Sequence, residues 1–322
     1  MRLRLVPAET NFDFFKYRVV TFGLSSILMI ASLVLWLVVG LNFGIDFRGG
    51  TTIRTQSTSA VDVGVYRDAI APLDLGDVII SEVFDPSFGE DKHVAMIRIQ
   101  AQDGQESVAG DTIDTVLAAL KAVDDSIQFT SVESVGPKVS GELIQTAIIA
   151  VVVALAAILF YIWLRFEWQF SVGAVAALFH DVLLTIGIFS ALQIRFDLAT
   201  IAALLTIIGY SINDTVVIFD RLRENLRKFK TKPLRDVMNL SVNETLSRTL
   251  MTSGTTLLAL IALLVLGGDV IRGFVFAITW GVIVGTYSSV YVAKNIVLWL
   301  GVKRDWSKPD LTEGNQFANV DA

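Results

Sequence analysis

The sequence contains no cysteine and only two histidines among its 322 residues. The absence of cysteine excludes disulfide bonds and thiolate metal sites. No GxxxxGK[ST] run occurs in the chain, which excludes the phosphate-binding loop of many ATP-driven machines. No serine, histidine and carboxylate residues form a recognisable catalytic set. We therefore expect neither an ATPase nor a hydrolase, and we predict no cofactor and no bound metal.

Charged residues are also scarce, at 18% of the chain against 53% hydrophobic residues, whereas soluble domains carry about 25% charged residues. A helix needs about 20 apolar residues to cross the hydrocarbon core of a bilayer. The sequence therefore predicts a polytopic α-helical membrane protein with six transmembrane helices, in residues 19–41, 143–164, 170–192, 198–219, 249–266 and 273–300. The first is too long for the apolar core of a signal peptide, so we interpret it as an uncleaved anchor.

Lysine and arginine collect in residues 1–18, in the segment 220–247 between spans four and five, and in the tail 302–322. Positive charge near the membrane ends marks the cytoplasmic side. With the first span at 19–41 and the other five within residues 142–301, all three basic segments fall on the same side. We therefore predict a multi-pass protein of the bacterial inner membrane, with both termini and a loop over 220–247 in the cytoplasm.

Residues 42–141 then lie on the opposite side, and they contain 16 acidic and 7 basic residues. This acidic balance argues against nucleic acid as a partner. Strand-like and helix-like blocks alternate in the order βαββαβ, with a turn predicted at 85–89, and this order predicts a small α+β, ferredoxin-like periplasmic domain. Its single histidine, His93, is interpreted as a solvated side chain. We expect a binding or mechanical module.

Asp214 lies deep in the fourth apolar stretch, and Arg248 lies at the start of the fifth. A carboxylate at the centre of a membrane helix costs about 2.5 kcal/mol or more, so such groups usually mark an ion pathway. Spans four and five are consecutive, so we expect the two side chains to approach each other. Burial disfavours the charged carboxylate and a nearby cation favours it, so a movement of Arg248 would change protonation. The alternative is a structural pair that fastens two helices.

Other polar residues in the spans are candidates for relay or support. The amide of Asn213 favours helix–helix hydrogen bonding and ion coordination equally. Thr252 and Ser253 belong to a polar stripe of span five that indicates either close packing or a hydrated path. His180 and Asp181 lie about halfway through span three, where they are candidates either for a second step in a proton relay or for a packing or partner-facing role.

Small residues mark the two points where the chain leaves and re-enters the membrane. Asp46, Gly49 and Gly50 follow the first span, and Gly136 and Pro137 precede the second. Glycine supplies the backbone angles of sharp turns. We interpret both groups as structural hinges of the α+β domain.

Four motifs occur in order along the chain: GIDFRGG at 44–50, VGPKVSGEL at 135–143, GYSINDTVVIFDR at 209–221 and SRTLMTSGTT at 247–256. Together they resemble the SecD/SecF family of protein-translocase subunits, within the RND superfamily. The resemblance implies that this chain is an RND-type half that forms a heterodimer with the larger SecD. Asp214 and Arg248 match the family's ion-coupling positions.

The resemblance also implies a function in the lipid bilayer. The pair would use the proton motive force, or a sodium gradient, to promote export of unfolded preproteins through the SecYEG channel, with YajC as an additional candidate partner. Two rivals stay open. Half of a small-molecule RND efflux pump would be expected to have larger outer domains and a second six-span half. A membrane scaffold that only recruits partners predicts that Asp214→Asn leaves export intact.

Overall fold

The computed structural model describes residues 10–76, 78–83, 92–100 and 110–302. The ends of both predicted tails and the turn predicted at 85–89 lie outside these residues. The elements are α1 (Arg18–Val38), β1 (Asn42–Phe43), α2 (Ile45–Arg48), β2 (Gly50–Ser57), α3 (Val63–Ile70), β3 (Val78–Val83), β4 (His93–Gln100), α4 (Gly110–Lys121), β5 (Gln128–Val135), α5 (Pro137–Arg165), α6 (Trp168–Leu192), β6 (Arg195–Phe196), α7 (Leu198–Lys228), α8 (Leu234–Leu266), α9 (Asp269–Ser288) and α10 (Lys294–Leu300).

Within the described residues, six helical segments are long and apolar enough to cross a membrane, which confirms the predicted polytopic helical protein. They are α1, α5, α6, α7, α8 and a sixth span in which a π-helical turn, Ser289–Ala293, joins α9 to α10. α6 and the sixth span are central, since 61% and 67% of their apolar windows are buried, whereas α1 and α5 bury only 11% each. α7 packs between α8 and α9.

The segment 220–247, predicted as a loop, is helical over most of its length. α7 and α8 extend beyond the apolar stretches and are joined by residues 229–233. The extensions hold each other through polar contacts: Arg221 Nε donates to Glu244 Oε2 at 2.7 Å, and Asn225 Nδ2 donates to Ser241 Oγ at 3.0 Å. Because these side chains satisfy one another, a charged sequence continues as paired helices.

Residues 10–16 form an N-terminal strap that lies across the extension of α8. The amide oxygen of Asn239 accepts from the Phe14 N–H at 2.9 Å, and that of Asn243 accepts from the Phe12 N–H at 2.8 Å. Both amide nitrogens donate back to the Phe12 carbonyl, each at 2.9 Å. The side-chain amides thus supply the hydrogen-bond partners that the backbone of this extended strap needs.

The α/β domain spans β2 to β5 in the order βαββαβ. Its four strands form a sheet in the order β3-β4-β2-β5, with every neighbouring pair antiparallel. Alternate residues of the strands, such as Ile53 and Ile97, pack against Val116 and Leu120 of α4 in one core. The period-two pattern of β4 therefore buries one face, as the sequence predicts.

Residues 42–49 belong to the membrane part of the molecule, although the predicted outer domain begins at residue 42. β1 pairs in parallel with β6, the short strand between α6 and α7, with Asn42 opposite Arg195 and Phe43 opposite Phe196. Ser140 Oγ of α5 donates to the Ile45 carbonyl of α2 at 3.2 Å. The α/β domain is consequently fastened to the spans on both its entering and leaving chains.

Candidate functional site

Four ionisable side chains are buried in the described part of the spans: His180, Asp181, Asp214 and Lys294. Asp214 is 2% exposed, in the middle of α7. Its Oδ2 accepts a long hydrogen bond of 3.5 Å from Ser253 Oγ of α8, and that hydroxyl bonds Thr286 Oγ1 of α9 at 2.8 Å. The carboxylate therefore lies where three helices meet.

The Asp214 carboxylate is weakly compensated. No lysine, arginine or histidine nitrogen of the described residues comes within 4.0 Å of it. An ionised carboxylate taken out of water without a close partner carries a desolvation cost of several kcal/mol. Binding a proton removes that cost, because the neutral acid is far cheaper to bury.

Arg248 does not form the predicted pair with Asp214 in this structure. It is exposed on α8, five residues before Ser253. Five helical residues span about 7.5 Å and turn about 140° past one full revolution, so Arg248 and Ser253 lie on different faces of α8, although the charge of Arg248 still acts on Asp214 at longer range. The residue that shares the Ser253 face is Thr249, four residues earlier, whose buried hydroxyl has no hydrogen-bond partner among the described residues. The i, i+4 spacing on α8 is the signal that identifies Thr249 from sequence.

Among the predicted supporting residues of spans four and five, the structure brings Ser253 and the adjacent Asn213 side chain to Asp214, but not Thr252. The Thr252 hydroxyl donates to the Arg248 and Thr249 carbonyls of its own helix, at 3.1 and 3.0 Å. Asn213 is exposed on the surface of α7. The inward face of α8 at this depth is therefore formed by Thr249 and Ser253.

A second carboxylate, Asp181 of α6, is 1% exposed and fully surrounded by donors. Ser211 of α7 donates to its Oδ2 at 2.6 Å, and Ser288 at the end of α9 donates to the same oxygen at 2.7 Å. Its Oδ1 lies 2.9 Å from Nδ1 of the adjacent His180, which is 0% exposed. The two serines lie in spans four and six, so the sequence analysis missed them.

Gly281 and Gly285 allow α7 and α9 to approach closely. A Cβ on Gly285 would lie 3.1 Å from the Ser211 Cβ and 3.5 Å from Asp181 Oδ2. A Cβ on Gly281 would overlap the Ile207 side chain. This GxxxG spacing therefore sets the contact that delivers both serines to Asp181.

The motif at 44–50 is attached to the N-terminus of α7. Asp46 Oδ2 accepts from the Leu198 N–H at 3.1 Å, alongside the capping box in which Asp197 Oδ1 accepts from the Thr200 N–H at 2.9 Å. A carboxylate at a helix N-terminus satisfies an otherwise unpaired donor and complements the helix dipole. The helix that carries Asp214 is thus held at its first turn by the segment leading into the α/β domain.

The predicted hinge glycines differ in their backbone geometry. Gly49 and Gly50 have φ angles of 72° and 128°, which favour glycine, where the chain turns from α2 into β2. Gly136 has an ordinary extended conformation, with φ of −72° and ψ of 152°. It precedes Pro137, which occupies the first turn of α5, where its missing N–H has no cost.

Lys294 is a buried cation that the sequence analysis missed, although a lysine inside an apolar stretch gives the same signal as Asp214. It is 1% exposed, and its Nζ has no hydrogen-bond partner. Three aromatic rings surround it, with centroids 4.2 Å away for Phe15, 4.9 Å for Phe14 and 5.4 Å for Tyr291. Cation–π attraction therefore anchors the N-terminal strap to the sixth span.

Comparison with known families covers both the entry motif and the spans. Residues 115–303 match the family described as "Protein export membrane protein SecD/SecF, C-terminal". Residues 34–61 match the "SecD/SecF GG Motif". The first match contains both buried aspartates, and the second contains the Asp46 segment that holds the start of α7.

Full-length relatives are similar along nearly the whole chain. The Protein translocase subunit SecF of Cereibacter sphaeroides is 69% identical over 321 residues, which cover 100% of this chain and 99% of the relative. The Protein translocase subunit SecF of Rhodobacter capsulatus is 67% identical over 315 residues, which cover 96% and 95%.

Solved structures of SecDF are similar in fold. The crystal structure of SecDF, a translocon-associated membrane protein from Thermus thermophilus, matches with a TM-score of 0.82 and 34% identity over 93% of this chain. SecDF in its super-membrane-facing form matches with a TM-score of 0.64 and 36% identity over 92% of this chain. This chain spans 40% of the length of either structure.

Proposed function

This chain belongs to the SecD/SecF family as a SecF subunit of the Sec protein-export machinery, and on that premise we propose that it couples an ion gradient to export through Asp214. The ion is H⁺, with Na⁺ as the alternative, and the driving force is the proton motive force across the inner membrane. One observation carries the proposal. Asp214 is buried where three spans meet, with a 3.5 Å hydrogen bond and no lysine, arginine or histidine nitrogen of the described residues within 4.0 Å.

A conformational change follows from the change of charge. The ionised carboxylate draws Arg248 or water towards itself, whereas the neutral acid does not. The arginine lies about 7.5 Å along α8 from the level of Ser253, so a slide and rotation of α8 against α7 would bring the two together. The membrane potential supplies about 2.3 kcal/mol per charge per 100 mV, which suffices to bias two such states well over tenfold.

The α/β domain receives this movement through α7. Asp46 and the β1–β6 pair hold the first turn of that helix, while Asp214 lies in its middle. A displacement of α7 at the carboxylate is therefore transmitted to the chain that enters the domain. We assign the domain a ferredoxin-like fold, which is supported by its βαββαβ order and the strand order β3-β4-β2-β5.

The partners and topology of the subunit are part of the same proposal. SecD is the expected partner, because this chain covers 40% of the SecDF structures it resembles. SecYEG, unfolded preprotein and YajC are the further partners that the family implies. Basic residues near the ends of the spans support cytoplasmic termini and a periplasmic α/β domain.

The test is preprotein export into inverted vesicles that contain this subunit with SecD and SecYEG, with and without a proton gradient. We expect Asp214→Asn to abolish the gradient-dependent part of export, and Arg248→Met to reduce it strongly. Asp220→Asn is the matched control, because Asp220 lies six residues further along α7 and pairs with Arg165 in an exposed position. Wild-type stimulation in Asp214→Asn vesicles that retain SecD would overturn the coupling proposal and favour a scaffold.

A further inference from the structure

The His180–Asp181 pair has a buried nitrogen with no partner. Nδ1 lies 2.9 Å from the Asp181 carboxylate, which accepts, so Nδ1 carries the ring proton and donates. Nε2 of the neutral ring then holds a lone pair, and this buried atom has no hydrogen-bond partner among the residues that the structure describes. A buried polar atom left unpaired carries a free-energy cost. The unused lone pair of Nε2 is therefore available to bind a proton.

The surroundings of the ring favour a cation. Tyr287 of α9 stacks on the imidazole, with centroids 6.1 Å apart and planes inclined by 29°. The Tyr287 hydroxyl donates to the Thr21 carbonyl of α1 at 2.8 Å. Aromatic faces attract cations, and the adjacent Asp181 carboxylate supplies a counter-charge. An imidazolium at His180 would therefore be both paired and stacked.

Few other charges face the pair. Tyr287 is the titratable group from α9, and Tyr291 of the π turn stacks on Tyr287 at 5.1 Å. From α7 the nearest is Asp214, one turn beyond Ser211. Lys294 of α10 points into the rings of Phe14, Phe15 and Tyr291.

α1 contributes the hydroxyl of Ser25, 3.0 Å from that of Tyr287. On α5, Tyr161 is exposed and the charged residues lie near the two ends: Lys138, Glu142 and Arg165.

We propose that the His180–Asp181 pair is a second proton-binding site, which is loaded at His180 Nε2 and works in series with Asp214. Protonation forms one N–H bond at Nε2 with a proton drawn from the same gradient, and Asp181 stays ionised as counter-ion. Nothing is oxidised and no covalent intermediate forms. The inference rests on the proposed coupling role of Asp214 and adds a group to its path.

The two sites are joined by α7 and α9. Ser211 and Asp214 are three residues apart on α7, so they lie on one side of the helix, about 4.5 Å apart along its axis. On α9, Thr286 reaches Asp214 through Ser253, and Ser288 reaches Asp181 directly. A slide of α7 that changes the contacts of Asp214 must therefore also stretch the 2.6 Å bond from Ser211 to Asp181.

The chain offers a direct measurement, because it holds only two histidines, His93 and His180. The full-length chain in lipid nanodiscs is labelled with ¹⁵N-histidine, and His93→Asn assigns the signals. Spectra are recorded over a pH range from about 8 to about 5, and we expect the His180 ring to pass from one protonated nitrogen to two as the pH is lowered. Asp181→Asn, which removes the counter-charge, should abolish this transition, whereas Asp214→Asn should preserve it.

The export assay tests whether this proton is used. In His180→Asn the amide nitrogen can replace Nδ1 as donor to Asp181, but no proton-binding nitrogen remains. We expect this variant to assemble with SecD and to lose the gradient-dependent part of export. A His180 ring that stays neutral over the whole range overturns the proposal, and so does full stimulation in His180→Asn. Either result leaves the Asp214→Asn experiment standing, so the two proposals fail separately.

Discussion

Two aspartates are buried in neighbouring spans of this subunit, and their carboxylates accept hydrogen bonds of very different length. Asp181 accepts hydrogen bonds of 2.6 and 2.7 Å from Ser211 and Ser288. Asp214 accepts a 3.5 Å bond from Ser253. Both are equally removed from solvent, so burial does not distinguish them. The difference lies in how firmly each is held: two short hydrogen bonds fix the Asp181 carboxylate, whereas a 3.5 Å bond reaches Asp214.

The most direct test of this difference is to remove each carboxylate in turn. Asp181→Ala leaves two serine hydroxyls and an imidazole without their acceptor. Hydrogen bonds between membrane helices average about 0.6 kcal/mol and reach about 1.7 kcal/mol, so we expect a loss of about 2–4 kcal/mol in the free energy of unfolding. Asp214→Ala removes a poorly compensated charge and should be neutral or stabilising.

The measurement is unfolding of the purified chain in mixed detergent micelles of increasing SDS content. Asp220→Ala is the matched control for loss of an exposed carboxylate on α7. Equal destabilisation by the two buried substitutions would show that Asp214 is as firmly held as Asp181, and the distinction between them would fail.

A second prediction concerns the approach of α9 that brings Ser288 to Asp181. Gly281→Ala places a Cβ against Ile207, and overpacking of this kind costs about 1–3 kcal/mol. Gly209→Ala is the control, since an added Cβ there meets nothing within 4 Å and alanine favours the helix by up to about 1 kcal/mol. Unfolding in SDS mixtures should separate the variants. A Gly281→Ala chain as stable as wild type would show that this contact is not tightly packed.

A third prediction concerns the attachment of α7 to the chain that enters the α/β domain. Asp46→Ala removes a carboxylate from the Leu198 N–H, and losing a helix N-terminal cap typically costs about 1 kcal/mol. Asp62→Ala is matched, because Asp62 caps α3 inside the α/β domain by accepting from the Gly64 N–H at 2.9 Å. We expect similar losses of stability but reduced gradient-driven export only in Asp46→Ala. Equal export by the two variants would show that the attachment has no mechanical role in export.

Sequence reasoning predicts the membrane class, the six spans and the βαββαβ order of elements in the α/β domain, because each leaves a signal in composition or periodicity. Asp214 is found for the same reason, as a charge in an apolar stretch. The sequence identifies the segment 220–247 as the cytoplasmic connection between spans four and five, and the structure makes most of it helical. There Arg221 and Glu244 compensate each other across two helices.

What sequence reasoning misses is rotation about helix axes and contacts between distant spans. Consecutive spans do not ensure that two side chains meet, and among the described residues no ion pair within 4.0 Å joins Arg248 to Asp214. Nothing in the sequence distinguishes Ser211 and Ser288 from other serines, and only helix packing brings them to Asp181. Their spacing from Asp181, of 30 and 107 residues, contains no periodic signal.

A third aspartate, Asp13 of the N-terminal strap, provides a reference outside the membrane. The Phe15 N–H, at 2.9 Å, and the nearby Arg235 guanidinium hold the pKa of its carboxyl below the ordinary 3.8. A pKa that is lower in the folded state stabilises the docked strap above the ordinary value. This stabilisation is lost as pH falls from about 4 through the folded-state pKa.

We expect a small effect, because Asp13 is exposed to solvent and screened. Hydrogen exchange at the Phe14 amide, which donates to Asn239, should report it. Below about pH 4 the protection of wild type should fall to that of Asp13→Asn, and above that pH wild type should be better protected. Comparing the two chains at each pH removes the intrinsic pH dependence of exchange. If the difference in Phe14 protection between wild type and Asp13→Asn is the same at every pH, Asp13 acts through its shape and not its charge. Asp13 then cannot serve as a reference for the two buried carboxylates.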